Sequence, residues 1–92
     1  MPQSVESRTN LIVAYGMVHE LAKARREVEQ AETEGRKVPL YYNALAYVLH
    51  VNGQDEEALA TLRKSLAIDP RQPDALRLRS QIERGEPGGG AP

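Results

Sequence analysis

The chain has 92 residues, 40 % apolar and 27 % charged, which is the size and balance of one small globular domain and excludes a multidomain enzyme. Twelve basic residues face thirteen acidic ones, a net charge of −1, so no bulk field draws the chain to nucleic acid or an anionic membrane. Cysteine is absent, which removes disulfides and thiolate metal sites and suits a reducing compartment. No stretch has the ~20 apolar residues that span a bilayer, and Met1 to Arg8 has no basic start followed by an apolar run, so a cytoplasmic location is expected. With no Phe or Trp and only Tyr15, Tyr41, Tyr42 and Tyr47 as aromatics, the core falls to Leu, Val, Ile and Ala, a palette for closely approaching helices.

In chain order, the apolar stripe Leu11, Tyr15, Val18, Leu21, Ala24, Val28, Ala31 runs at three- and four-residue steps. It fits either one continuous helix or two, near 5–17 and 20–34, broken around Gly16 to His19, where Met17-Val18-His19-Glu20 is poor turn chemistry. Gly35 closes this region, and Pro39 stands in the first turn of a helix over 39–51 that Asn52-Gly53 ends. A helix over 55–68 opens on Asp55-Glu56-Glu57, acids suited to a positive helix N-terminus, and stops at Asp69-Pro70. The last, over 73–84, starts at Pro73-Asp74 and ends at Gly85, and 86–92 has the composition of a flexible tail.

An offset of 34 pairs Leu11 with Leu45, Tyr15 with Leu49, Ala24 with Ala58, Val28 with Leu62 and Ala31 with Ser65, and carries Pro39 to Pro73. Tyr42-x-x-Leu45-Ala46-x-x-Leu49, Gly53, Ala58-x-x-x-Leu62, Ser65 and Asp69-Pro70 resemble one complete tetratricopeptide repeat over 39–72. Residues 5–38 resemble a degenerate preceding repeat, with His19 where the turn glycine belongs and Arg36 where the terminal proline belongs; 73–85 are similar to the capping helix of such arrays. The resemblance implies an all-α fold, a short right-handed solenoid of helix-turn-helix repeats over 1–85. Small Ala46, Ala58 and Ser65 would then sit at close helix crossings, and Leu45, Leu49 and Leu62 would fill the gaps between them.

Catalytic and metal chemistry is expected to be absent. His19-Glu20 begins like a zinc-protease helix, but Lys23 stands where the second histidine belongs. Glu27, Glu29, Glu32 and Glu34 lack calcium-loop spacing and read, with Arg25 and Arg26, as a solvated face. Gly88 to Gly90 lack the Lys-Ser/Thr of a phosphate loop, and no serine sits in a nucleophile elbow. The expected function is therefore non-enzymatic and needs no cofactor: an adaptor or co-chaperone type module binding a peptide or helix of another protein. The resemblance puts the groove on the first helices of the hairpins, with Asn43, Tyr47 and His50 at its centre, Val13 and Met17 before them, and Arg77 and Gln81 after. His50 equally suits a helix C-terminus by its dipole. Thr9, Asn43, Asp74 and Leu78 occupy most places where a carboxylate clamp needs basic residues, which disfavours that subclass. The alternative is an assembly protein that forms homo-oligomers through an uncovered face made by Leu11, Ile12, Val13, Val18 and Leu21. RNA association through Arg71, Arg77, Arg79 and Arg84 is remote.

Overall fold

A computed structural model describes residues 4–87 as five helices: α1 Val5–Met17, α2 Leu21–Thr33, α3 Pro39–Val51, α4 Asp55–Ile68 and α5 Pro73–Glu83. No strand occurs among the described residues. The tail expected at 86–92 falls, from residue 88 on, outside them. Each start has a local cause. The Ser4 hydroxyl accepts a hydrogen bond from the Ser7 amide at 3.0 Å and caps α1, while Pro39 and Pro73 bring a preset φ to the first turns of α3 and α5.

The open question of one helix or two before Gly35 is decided by His19. Its φ is +65°, beside +80° for Gly53 one repeat later, so the chain reverses at both places through the same left-handed step. The hydrogen bonds repeat as well: Glu20 N–H reaches Tyr15 C=O at 2.8 Å, and Gln54 N–H reaches Leu49 C=O at 2.8 Å. A histidine pays a steric toll here that glycine does not. Part of the compensation is visible, because His19 Nδ1–H donates to Asn52 Oδ1 at 2.6 Å while Asn52 Nδ2 donates to the Gly16 and Val48 carbonyls at 3.0 and 2.7 Å. Asn52 thus fastens the turn of the first hairpin to the end of α3.

The helices form two hairpins, α1–α2 and α3–α4, stacked side by side with α5 laid against the second. Helix α3 packs against all four others and buries eight of its thirteen residues. Ala46, Ala58 and Ser65 are wholly buried at the crossings and Leu45, Leu49 and Leu62 fill the core, as the repeat pattern requires. A close approach joins α1 to α3 at Gly16, where an added Cβ would fall against Val48 Cβ and 2.5 Å from both its Cγ atoms.

The expected self-association face does not exist as one surface. Arg8, Ile12 and Gly16 follow one another at four-residue steps along the buried side of α1, and Ile12 is 0 % exposed against α3. Leu11 and Leu21 are half-buried, and Val13 is half-buried on the groove described below. Val18 lies in the turn rather than on the helical stripe and is 64 % exposed, next to Met17 at 49 %.

Candidate functional site

Two clefts open on opposite faces of α3. Tyr42 and Leu45 look toward one, while Leu40, Asn43, Ala44 and Tyr47 look toward the other, as 100° per residue demands.

The first cleft, about 200 Å³ between α2, α3 and α4, is crossed by charges that satisfy one another. Arg25 donates twice to Glu57, from Nε at 2.7 Å and Nη2 at 2.6 Å. This two-point bond holds the Glu57 carboxyl below the usual carboxylate range and raises the Arg25 guanidinium further. The Tyr42 hydroxyl donates to Glu32 Oε2 at 2.6 Å, and burial followed by that bond to a carboxylate pushes its pKa up to about 12. Lys64 lies 3.9 Å from the same carboxylate.

Beyond this cleft, Arg8 is buried at 4 % exposure and donates to both oxygens of Glu34, at 3.0 and 3.3 Å. Its Nε lies 3.4 Å from Glu27 Oε1, close enough for an ion pair but not aligned as a hydrogen bond, and its guanidinium carbon is 5.7 Å from the Tyr41 ring centre. The hydrogen bond from Arg8 holds Glu34 below its ordinary pKa. The acidic run expected to be a solvated face is thus largely spoken for: Glu27 and Glu34 meet Arg8, and Glu32 meets Tyr42. Sequence reasoning missed Arg8, although Glu27 in α2 and Glu34, which caps its C-terminal end, stand seven residues apart, a spacing able to hold a single guanidinium.

The second cleft is an open groove of about 400 Å³ between α1, α3 and α5. It brings together five of the seven residues expected there: Val13, Asn43, Tyr47, Arg77 and Gln81. Leu40, Ala44, Ala75 and Leu78 complete an apolar floor, with Thr9 and Asp74 at the edges. Leu40 is 53 % exposed, and Val13, Tyr47 and Leu78 are half-buried packed against the core.

Met17 and His50 do not line the groove. Met17 sits at the far end of α1, exposed beside the turn. His50 shares the helical arc of Asn43 and Tyr47 but is 5 % exposed, because the chain turns back at Gly53 and brings Asp55 over it. Its Nδ1–H donates to Asp55 Oδ1 at 2.7 Å, a structural bond that ties the end of α3 to the start of α4.

Asn43 lines the groove but its side chain faces inward for its bonds. Its Oδ1 accepts from the Ser65 hydroxyl at 2.6 Å, and its Nδ2 donates to Gln72 Oε1 at 2.8 Å. Gln72 Nε2 in turn donates to the Asp69 carbonyl at 2.8 Å and Ser65 Oγ at 3.0 Å. At the rim, Arg77 Nη1 donates to Asp74 Oδ1 at 3.2 Å and Gln81 Nε2 to the Pro87 carbonyl at 3.0 Å.

Among the described residues no three His, Asp or Glu side chains converge to hold a metal ion, and no helix is long and apolar enough to cross a membrane. No family model, no curated protein and no solved structure matches this chain.

Proposed function

We propose that this protein is a non-enzymatic interaction module of the tetratricopeptide type, which takes a segment of another protein in the groove between α1, α3 and α5. The observation that carries the reading is the groove itself, an apolar floor left open by a fold that otherwise closes its core, with Leu40 half exposed and Tyr47 beside it. The turn shared by His19 and Gly53, one repeat apart, supports the family reading. The cysteine-free composition supports a place in the cytoplasm.

A photo-crosslinking residue placed at Leu40, in the groove, and separately at Ala60, in the opposite cleft, tests this in cells of the source organism. Adducts with another protein from position 40 and none from position 60 are expected. No adduct from position 40, or equal adducts from both, would refute the groove as the binding site.

The self-associating alternative keeps one observation, the exposed pair Met17 and Val18 at the α1–α2 corner. Light scattering of wild type against Val18→Glu checks it: a dimer lost in the variant supports assembly, and a monomer in both removes it.

A further inference from the structure

The chemistry of the groove discriminates between the two kinds of segment it could hold, and this inference rests on the interaction-module reading above. An extended peptide carries one N–H and one C=O per residue, and grooves that hold such chains answer them with an exposed sheet edge or a ladder of polar side chains, or take proline-rich segments between several aromatic rings. This groove has none of these, Tyr47 being the one aromatic on its lining. Its walls are three helices, whose backbone groups are bonded within each helix from Asn43 to Tyr47 and at Leu78, while the Gln81 carbonyl is taken by the Glu86 N–H at 3.0 Å; N–H groups without an in-helix acceptor occur on the lining only in the first turns, at Leu40, Asp74 and Ala75.

Most polar side chains on the lining already make a bond within the molecule, the exposed Arg77 and Asp74 through a single bond to each other. Asn43 is held by Ser65 and Gln72, Gln81 by the Pro87 carbonyl, Arg77 by Asp74, and the Thr9 hydroxyl donates to the Val5 carbonyl at 2.7 Å. Of the polar side chains on the lining, only the Tyr47 hydroxyl has no hydrogen bond to the described residues. The two charges of the lining, Arg77 and Asp74, offset each other, so the groove offers no net charge to an acidic or basic segment.

We infer that the occupant is an amphipathic α-helix, which arrives with its backbone bonds already made and offers apolar side chains only. From Asp74 to Gln81 the groove follows α5 for seven residues, ~10 Å at 1.5 Å per residue, which is two turns of a docked helix. Its contact stripe is then Leu, Ile, Val or Met at i, i+3 or i+4, and i+7.

The probes are two displayed libraries of peptides about 15–20 residues long, in the same Ala/Glu/Lys frame and with the same apolar residues. In one library the apolar positions recur at helical spacing, and in the other they alternate. Both are selected on the full chain and counter-tested on Leu78→Asp and, separately, on Leu40→Asp, each checked for unchanged far-ultraviolet dichroism. The expected result is binders from the helical library alone, which gain helicity on binding and weaken at least about tenfold on either variant. Groove-dependent binders of equal or greater affinity from the alternating library would overturn the helix inference while leaving the groove in place. Binders insensitive to both variants, or none from either library, would overturn the groove reading together with it.

Discussion

Gly16→Ala tests the close crossing of α1 and α3. In an ordinary helix interior this change is favourable by up to about 1 kcal/mol, because alanine is the better helix former. At position 16 the new methyl would stand 2.5 Å from both Cγ atoms of Val48, where carbon atoms in contact prefer ~3.5–4.0 Å. The neighbour is a β-branched side chain, itself wholly buried, so a rotamer change brings one methyl in as another leaves. The two helices must therefore separate by about 1 Å, and overpacking of that kind costs ~1–3 kcal/mol or somewhat more. After the propensity gain, a net loss of about 1–2 kcal/mol remains, and at 4–8 °C per kcal/mol for a chain of this size that is roughly a 5–15 °C drop in Tm. Thermal and urea unfolding followed by circular dichroism give the number. A cycle with Val48→Gly adds the decisive term: the atom nearest the new methyl is Val48 Cβ, which alanine would keep, so only in a double variant lacking it has the methyl room, and a favourable coupling of ~1 kcal/mol or more is expected there. A Gly16→Ala protein as stable as wild type, with additive behaviour in the cycle, would refute the crossing described here.

Three further outcomes are open to measurement. His19→Gly and His19→Ala both lose the bond to Asn52, but only glycine relieves the left-handed backbone, so the glycine variant should be the more stable by ~1 kcal/mol; equal Tm values would show that no strain resides there. Ala58→Leu should cost ~1–3 kcal/mol because Ala58 is wholly buried at a helix crossing, whereas exposed Ala60→Leu should stay within about 0.5 kcal/mol, and matched unfolding curves for the two would contradict the pairing of α3 with α4. Glu57 and Glu34 have folded pKa values below their unfolded ones, so they add stability above about pH 4.3 that is lost as pH falls through the folded values. Arg25→Gln should consequently lower Tm near pH 7 and have little effect near pH 2–3; the same loss at both would assign the role of Arg25 to packing rather than charge.

Helices α3 to α5 were legible because their ends are written in residues with one conformational meaning, Pro39, Gly53, Pro70 and Pro73. The first hairpin was not, because His19 takes a backbone step that histidine rarely takes, and only the 34-residue offset onto Gly53 pointed to it. Half of the groove was readable from the repeat resemblance, with helical spacing choosing the face: Val13, Asn43, Tyr47, Arg77 and Gln81 do meet. His50 has the same spacing and fails, since periodicity along one helix contains nothing about the next helix folding over its end. Arg8 fails for the mirror reason. A charged residue is assigned to solvent unless its partners are known, and here they come from α2 and α3. Leu40 was passed over because a leucine among helices is ordinarily core, and Leu78 was read only as a clamp position without a base; the cleft left between α1 and α5 gives both a surface.

That α3 touches every other helix, while α5 rests only on α3 and α4, fixes how the molecule comes apart. Backbone amides of α3 should exchange with deuterated solvent only when the whole chain opens, and those of α5 should exchange by a cheaper local opening that leaves both hairpins standing. Because α5 forms one wall of the groove, the same local opening widens or dismantles the site, and anything seated there would slow α5 exchange before it changed the global unfolding rate.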